Sequence, residues 1–222
     1  MSVVFFISFL NVGRLFKMGY FNTVGSELRK SWWNALVVVV FTICRLLFGW
    51  DWFKAGWEKV TTEHWLSNGK FNSGGLIQGM VKNIQHSHGT DPLHLNNLLV
   101  WFANHIFLNM GGLVDFLVVA FEMLIGIFVF FGFGFVWAML VAIFLNLQYI
   151  AAGSANNFGY LVTDIVWIKF PSYASLIGFD GYIRYRRGQN LVGPAGPASR
   201  KLFSDSDEGG TVRPGGRGAV KA

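Results

Sequence analysis

The chain has 222 residues, of which 53% are hydrophobic and only 14% charged. A soluble domain carries about 25% charged residues, so this composition excludes an ordinary soluble globule and fits a surface that faces lipid. The formal charge of +6 does not mark a nucleic-acid-binding protein: the basic residues collect at the two ends of the chain and no groove-reading motif accompanies them.

Residues 1–31 read as a cytoplasmic or interfacial N-terminal segment. Ser2–Leu10 is apolar but lacks the basic leader and small-residue cleavage site of a secretory signal. Arg14, Lys17, Arg29 and Lys30 follow, and then the first span, Trp33–Phe53, with Trp32 and Trp33 at one interface and Trp50, Trp52 and Trp57 at the other. Twenty residues at about 1.5 Å each cover roughly 30 Å, the thickness of the hydrocarbon core. Cys44, the only cysteine, lies in this run, which rules out a disulfide framework and a cysteine-based metal site.

Residues 60–97 turn rich in Asn, Gly, Ser and His and read as an extramembrane loop. Leu98–Met110 is apolar but too short to span, which suits an interfacial or re-entrant helix. The second span is Gly112–Phe131 and the third Gly134–Ala152, joined by a tight hairpin over Phe131–Phe135. Ser154–Asn157 forms the next turn. The fourth span, Phe158–Phe179, is interrupted by Asp164, Lys169 and Pro171, and the proline should kink or break it. From 183 onward a basic, Gly-, Pro- and Ser-rich tail cannot bury enough apolar surface to order itself.

The expected fold class is therefore an all-α membrane protein. It is a four-transmembrane-helix bundle over residues 32–182, with a long outer loop (60–111) that contains a short interfacial helix. Four spans put both termini on one side, and basic flanks assign that side to the cytoplasm of a multi-pass plasma-membrane protein.

Charges inside such a bundle cost at least about 2.5–3.5 kcal/mol each in lipid and so face partners or a cavity. The candidates are Arg45 in the first span, Asp115 and Glu122 in the second, Asn146 in the third and Asp164 in the fourth. Counted inward from the outer ends of their spans, Arg45 and Glu122 come out at matching depths with Asn146 and Asp164 at compatible heights, which predicts an Arg45–Glu122 ion pair at the heart of one cluster of these four. Two uses of that core stay open: holding helix register, or serving a quinone, a proton or a substrate. Arg45, Glu122 and Asp164 are then the candidate catalytic groups, with Lys59, Trp52, Asn146, Tyr149 and Asp115 as candidate substrate- or quinone-binding groups. Asp51, Lys54 and Glu58 read as an exposed salt-bridge ladder. All five histidines fall between 64 and 105. His86-Ser-His88 with His94 lacks a fixed third ligand, so no metal is expected, and titration with external pH is a middle reading for them.

Arg45-Leu-Leu-Phe-Gly49 followed by Ala55-Gly56-Trp57-Glu58-Lys59 resembles the opening motif of the DoxX/DoxD family. Glu122 with Gly126 and Gly132 resembles the pattern of that family's second helix. Leu145–Tyr149 running to Ala152-Gly153-Ser154 is similar to its Asn-containing stretch, and Gly178-Phe179-Asp180 to its closing Gly-Leu-Asp. The motifs cover residues 40–182 in order. Gln148 stands where Asn is usual, and the fourth helix is rougher than the family's.

The resemblance implies the membrane subunit of a thiosulfate:quinone oxidoreductase, associated with terminal quinol oxidases. Such a subunit works with a small DoxA-like subunit or other respiratory-complex subunits in the lipid bilayer. The long outer loop fits the DoxD branch. Quinone is then a substrate, and no haem, flavin or iron–sulfur ligand set is evident. The alternative is a non-catalytic accessory subunit of a larger respiratory complex. A transporter fits less well, since neither inverted repeats nor paired broken helices are visible.

Overall fold

A computed structural model describes residues 19–87 and 91–193. Among these the chain is helical without a strand. A first helix (α1, residues 19–29) leads into α2 (Trp32–Thr61). Ser31 caps α2, its hydroxyl accepting from the Asn34 amide, which ties the helix start to the Ser-Trp-Trp sequence. The helix does not stop at Phe53, where the apolar run ends. It continues for two further turns to Thr61, because Lys54, Ala55, Trp57, Glu58 and Lys59 are all tolerant of helix, Gly56 among them stays helical, and no proline stops the run.

The stretch after α2 is not loop throughout. A helix, α3, covers Gly74–His86. Its apolar positions Ile77, Met80, Val81 and Ile84 recur at helical spacing and turn inward, while the polar flanks hide this pattern from a simple hydropathy reading. Asp91 then caps α4 (Leu95–Phe102), its carboxylate accepting from the Leu95 and Asn96 amides at 3.0 and 2.7 Å. α4 runs on through a π-helical turn (Ala103–Phe107) into α5 (Leu108–Met110), longer at its start than the expected Leu98–Met110 segment.

Next come α6 (Gly112–Phe131) and α7 (Phe135–Ala151), joined by the expected tight hairpin. Gly132 and Gly134 both sit at positive φ (62° and 54°), the left-handed conformation that favours glycine. α8 (Asn157–Lys169) ends before Pro171, which opens the short α9 (Pro171–Ala174), so the expected fourth run is broken and not merely kinked. Pro171 has no amide hydrogen to continue the ladder, and it sits at the first position of the new helix, where none is needed. α10 (Phe179–Arg186) closes the described region. Ser2–Leu10, His88 and most of the C-terminal tail lie outside the described residues.

Two helices, α2 and α6, are long and apolar enough to cross a membrane, and α7 is apolar but shorter. α2 and α6 cross closely on glycine. A Cβ placed on Gly126 would stand 2.5 Å from the Phe53 amide nitrogen, and one on Gly49 would stand 2.7 Å from that of Phe130. Two apolar clusters follow. One, around Phe48, Trp52, Ile125, Val129, Met139 and Trp167, fills the space between α2, α6, α7 and α8. The other, around Tyr20, Val24, Val38, Leu176 and Leu191, packs α1 and the C-terminal segments against the first half of α2. The outward faces are apolar too: Leu47, Phe116, Leu124, Trp137, Phe144 and Ile165 are all exposed, the pattern of a surface that faces lipid or another apolar partner.

Candidate functional site

The polar side chains buried in the bundle form separate groups, and the predicted Arg45–Glu122 pair is not among them. Glu122 (2% exposed) accepts two hydrogen bonds from Lys59 Nζ, at 2.7 and 2.9 Å, and one from the Tyr149 hydroxyl at 2.6 Å. Arg45 (2% exposed) donates from Nη2 to the Ile177 carbonyl at 2.6 Å. Its Nη1 lies against Gly132 and Gly178, so that any Cβ at either glycine would collide with it. Gly132 is ten residues beyond Glu122 on α6, roughly 15 Å along the helix. The physical reason is the length of α2. Its two extra turns move its C-terminal end to Thr61, so Arg45 lies farther from that end than a count from Phe53 suggests, and Lys59 takes its place opposite Glu122.

Arg45 thus belongs to a knot at the end of the bundle away from α3. There Asp180 accepts from the Gly134 and Phe135 amides at 2.9 and 2.8 Å, capping α7, and its own amide donates to the Gly132 carbonyl at 2.8 Å. The guanidinium supplies charge where the last carbonyls of α6 lack helical partners. Arg184 adds bonds to the Ser172 carbonyl and the Ser175 hydroxyl. Burial lowers its pKa from the ordinary guanidinium value, against the raising pull of Asp180 and Tyr20.

Lys59, Glu122 and Tyr149 instead line a cavity of about 330 Å³, together with Asp51, Trp52, Trp65, Leu76, Ser154, Asn157 and Tyr160. Lys59 also lies 5.3 Å from the centre of the Trp65 ring, a cation–π arrangement. The indole Nε1 of Trp52 is buried without a hydrogen-bond partner among the described residues. On the side of α8, the Tyr160 hydroxyl donates to Asp51 at 3.4 Å. Asp51 therefore leaves the expected ladder, in which only Lys54 and Glu58 pair, at 3.6 Å.

Asn146 and Asp164 do come together, as a fully buried couple one layer below this cavity. Asn146 Nδ2 donates to Asp164 at 2.8 Å, and Asn157 Nδ2 donates to the Asn146 oxygen at 2.8 Å. Ser154 completes the chain by donating to Asn157 at 2.6 Å. Asn157 and Tyr160 are site residues that the sequence reading missed. The signal was present, since a Ser-Ala-Asn-Asn turn follows the buried Asn146 by one helical excursion.

Asp115 is placed elsewhere. Its carboxylate accepts from the Asn72 and Ser73 amides at 2.7 and 2.8 Å and from both side chains. With four donors already on it, Asp115 is a latch that holds the start of α3, not a ligand-facing group. Asn83 fastens the same helix near its other end, donating to the Ala151 carbonyl at 3.0 Å. α3 thereby roofs both this cavity and a second, apolar one of about 170 Å³, lined by Leu76, Met80, Leu117, Phe121, Phe144 and Tyr149 among others. Leu76 and Tyr149 belong to the walls of both.

The described histidines are dispersed. His86 and His105 bond the carbonyls of Lys82 and Trp101 in their own helices, and His94 sits just before α4. Among the described residues no three metal-ligating side chains converge. Comparison with known proteins finds no matching family model, no similar curated protein and no similar solved structure.

Proposed function

We propose that the chain is the membrane subunit of a redox system of the DoxD type, a four-span bundle that couples oxidation of thiosulfate, or another small reductant, to reduction of quinone. α2, α6, α7 and α8 with α9 are the four spans. α3 and α4 cover the outer end, and the basic termini lie in the cytoplasm, as charge asymmetry favours.

The observation that carries this reading is the pair of adjoining cavities. The polar one offers a cation, a buried carboxylate, two phenols and an unpaired indole N–H. The apolar one begins at the shared side chains Leu76 and Tyr149. A quinone has this same division, a ring with two carbonyl oxygens and an apolar tail, and ligand sites of this kind place a few polar groups in an otherwise apolar cleft. Lys59 supplies the positive charge that a small dianion or a developing quinolate oxygen requires. The overall reaction balances as two thiosulfates, one quinone and two protons giving one tetrathionate and one quinol.

The test is thiosulfate-dependent quinone reduction by the full chain with its native partners. Lys59→Met and Glu122→Gln should each lower it by about 100-fold or more while the protein stays folded. Full activity in both variants would overturn the reading.

A second reading, an accessory subunit of a larger respiratory complex, is favoured by one observation. Lys54 and Glu58 stand exposed on α2 at a height where α6 presents Leu124 and Ile127 outward. A neighbouring polypeptide would cover those charges better than lipid. Stable association with an oxidase, without thiosulfate-dependent activity, would decide for it.

A further inference from the structure

The proposed reduction needs two protons, and the polar cavity contains two phenol–carboxylate couples. Tyr149 and Glu122 close the seam between α7 and α6, with a hydroxyl-to-carboxylate distance of 2.6 Å. Tyr160 and Asp51 close the seam between α8 and α2, at 3.4 Å. All four side chains line the same cavity, and Trp52, whose indole N–H has no partner, lies between the two seams in edge contact with the Tyr160 ring.

The couples differ in one useful way. Glu122 is 2% exposed and held by Lys59, whereas Asp51 is exposed. An exposed carboxylate in an otherwise apolar stretch of helix is costly unless it has work or a partner, and the only side-chain bond of Asp51 among the described residues is to Tyr160.

We infer that Tyr160 with Asp51 is a second proton-donating couple, matched to Tyr149 with Glu122, so that each of the two quinone oxygens has its own donor. This inference rests on the quinone reading above. As two electrons arrive from two thiosulfates, which join through a new S–S bond, each phenol passes its proton to one carbonyl oxygen. An O–H bond forms on the ring oxygen and the phenol O–H bond breaks. Each phenolate is then reprotonated by a proton that its carboxylate partner takes from solvent and passes on, which returns the carboxylate to the form that accepts the phenol hydrogen bond. The Trp52 N–H donates a hydrogen bond to one ring oxygen and holds the head in place. Tyr160 is a catalytic residue in this scheme, and Asp51, acting through it, is a positioning and proton-loading residue.

The test compares the full chain with its native partners against Tyr160→Phe, Asp51→Asn and Asp51→Glu. A short-chain benzoquinone serves as acceptor and thiosulfate as donor, and quinone binding is followed separately by quenching of tryptophan fluorescence. Tyr160→Phe and Asp51→Asn should lower kcat by about 100-fold, in the range of general acid catalysis. Quinone KM and quinone binding should stay within about threefold, since such a loss falls on the transition state alone. Asp51→Glu should recover most of the rate. A merely structural role would move KM and binding together with kcat, and the glutamate would not rescue. Wild-type activity with both loss variants within twofold of it would overturn the second couple and leave the quinone reading intact. A wild-type protein that neither binds nor reduces the quinone would overturn both.

Discussion

Two cations on one helix, the half-buried Lys59 and the buried Arg45, stand fourteen residues or roughly 21 Å apart along α2, and they are used in opposite ways. Lys59 faces a carboxylate and a phenol across open space. Arg45 faces a backbone carbonyl and two glycines that press against its guanidinium. Glu122, opposite Lys59, is as deeply buried as Arg45 (both 2% exposed), so burial alone does not distinguish a ligand site from a fastening. What distinguishes them is whether the charge has a counter-charge and room beside it, or only backbone to hold.

That contrast is broken most forcefully at Gly132. Its positive φ disfavours any side chain, and a Cβ there would collide with the Arg45 guanidinium. Gly132→Val should therefore leave little folded protein, as read by size-exclusion chromatography in detergent; a wild-type elution profile would show that the knot is dispensable. Asp115→Ala comes next. It strips the acceptor from the Asn72 and Ser73 donors at the start of α3 and should cost about 3 kcal/mol. Limited trypsin digestion reads this as faster cleavage at Lys70 and Lys82, on either side of the latch. Asn83→Ala, which removes one bond at the other end of α3, should cost about 1 kcal/mol and speed the same cleavages less. Lys59→Met should have the smallest effect on folding, because the Lys59 side chain is partly exposed at the cavity and Glu122 keeps the Tyr149 hydroxyl as a donor. Its melting temperature should fall by only a few degrees while quinone reduction is lost. A collapse of the fold in Lys59→Met would assign Lys59 to the same structural class as Arg45.

Much of the helical frame was legible in the sequence because its punctuation is local. Gly132 and Gly134 announce the α6–α7 hairpin, and Pro171 announces the break after α8, each through its own backbone chemistry. The end of α2 was not legible from hydropathy, since apolarity reports which residues suit lipid and not where helical hydrogen bonding stops. That one misplacement shifted the depth of Arg45 and produced the predicted pair with Glu122. α3 was hidden for a related reason: its flanks, Asn68–Ser73 and Ser87 onward, are polar enough to mask a short inward stripe. Lys59, Trp52, Tyr149 and Glu122 were recognised as candidates and do meet. Tyr160 and Asn157 depended on how α8 rotates against α7, which no residue of α8 specifies by itself.

The central claim, that the two adjoining cavities and not the Arg45 knot receive the amphiphilic ligand, is tested most directly by photolabelling the full chain with an azido-quinone and mapping the label by mass spectrometry. The label should fall on the walls shared by the two cavities, within Gly74–His86 and around Phe144–Tyr149, and a tenfold excess of unlabelled quinone should displace it. Label concentrated around Arg45, Gly132 and Gly178, or spread evenly over the outward faces of α2 and α6 without competition, would contradict it.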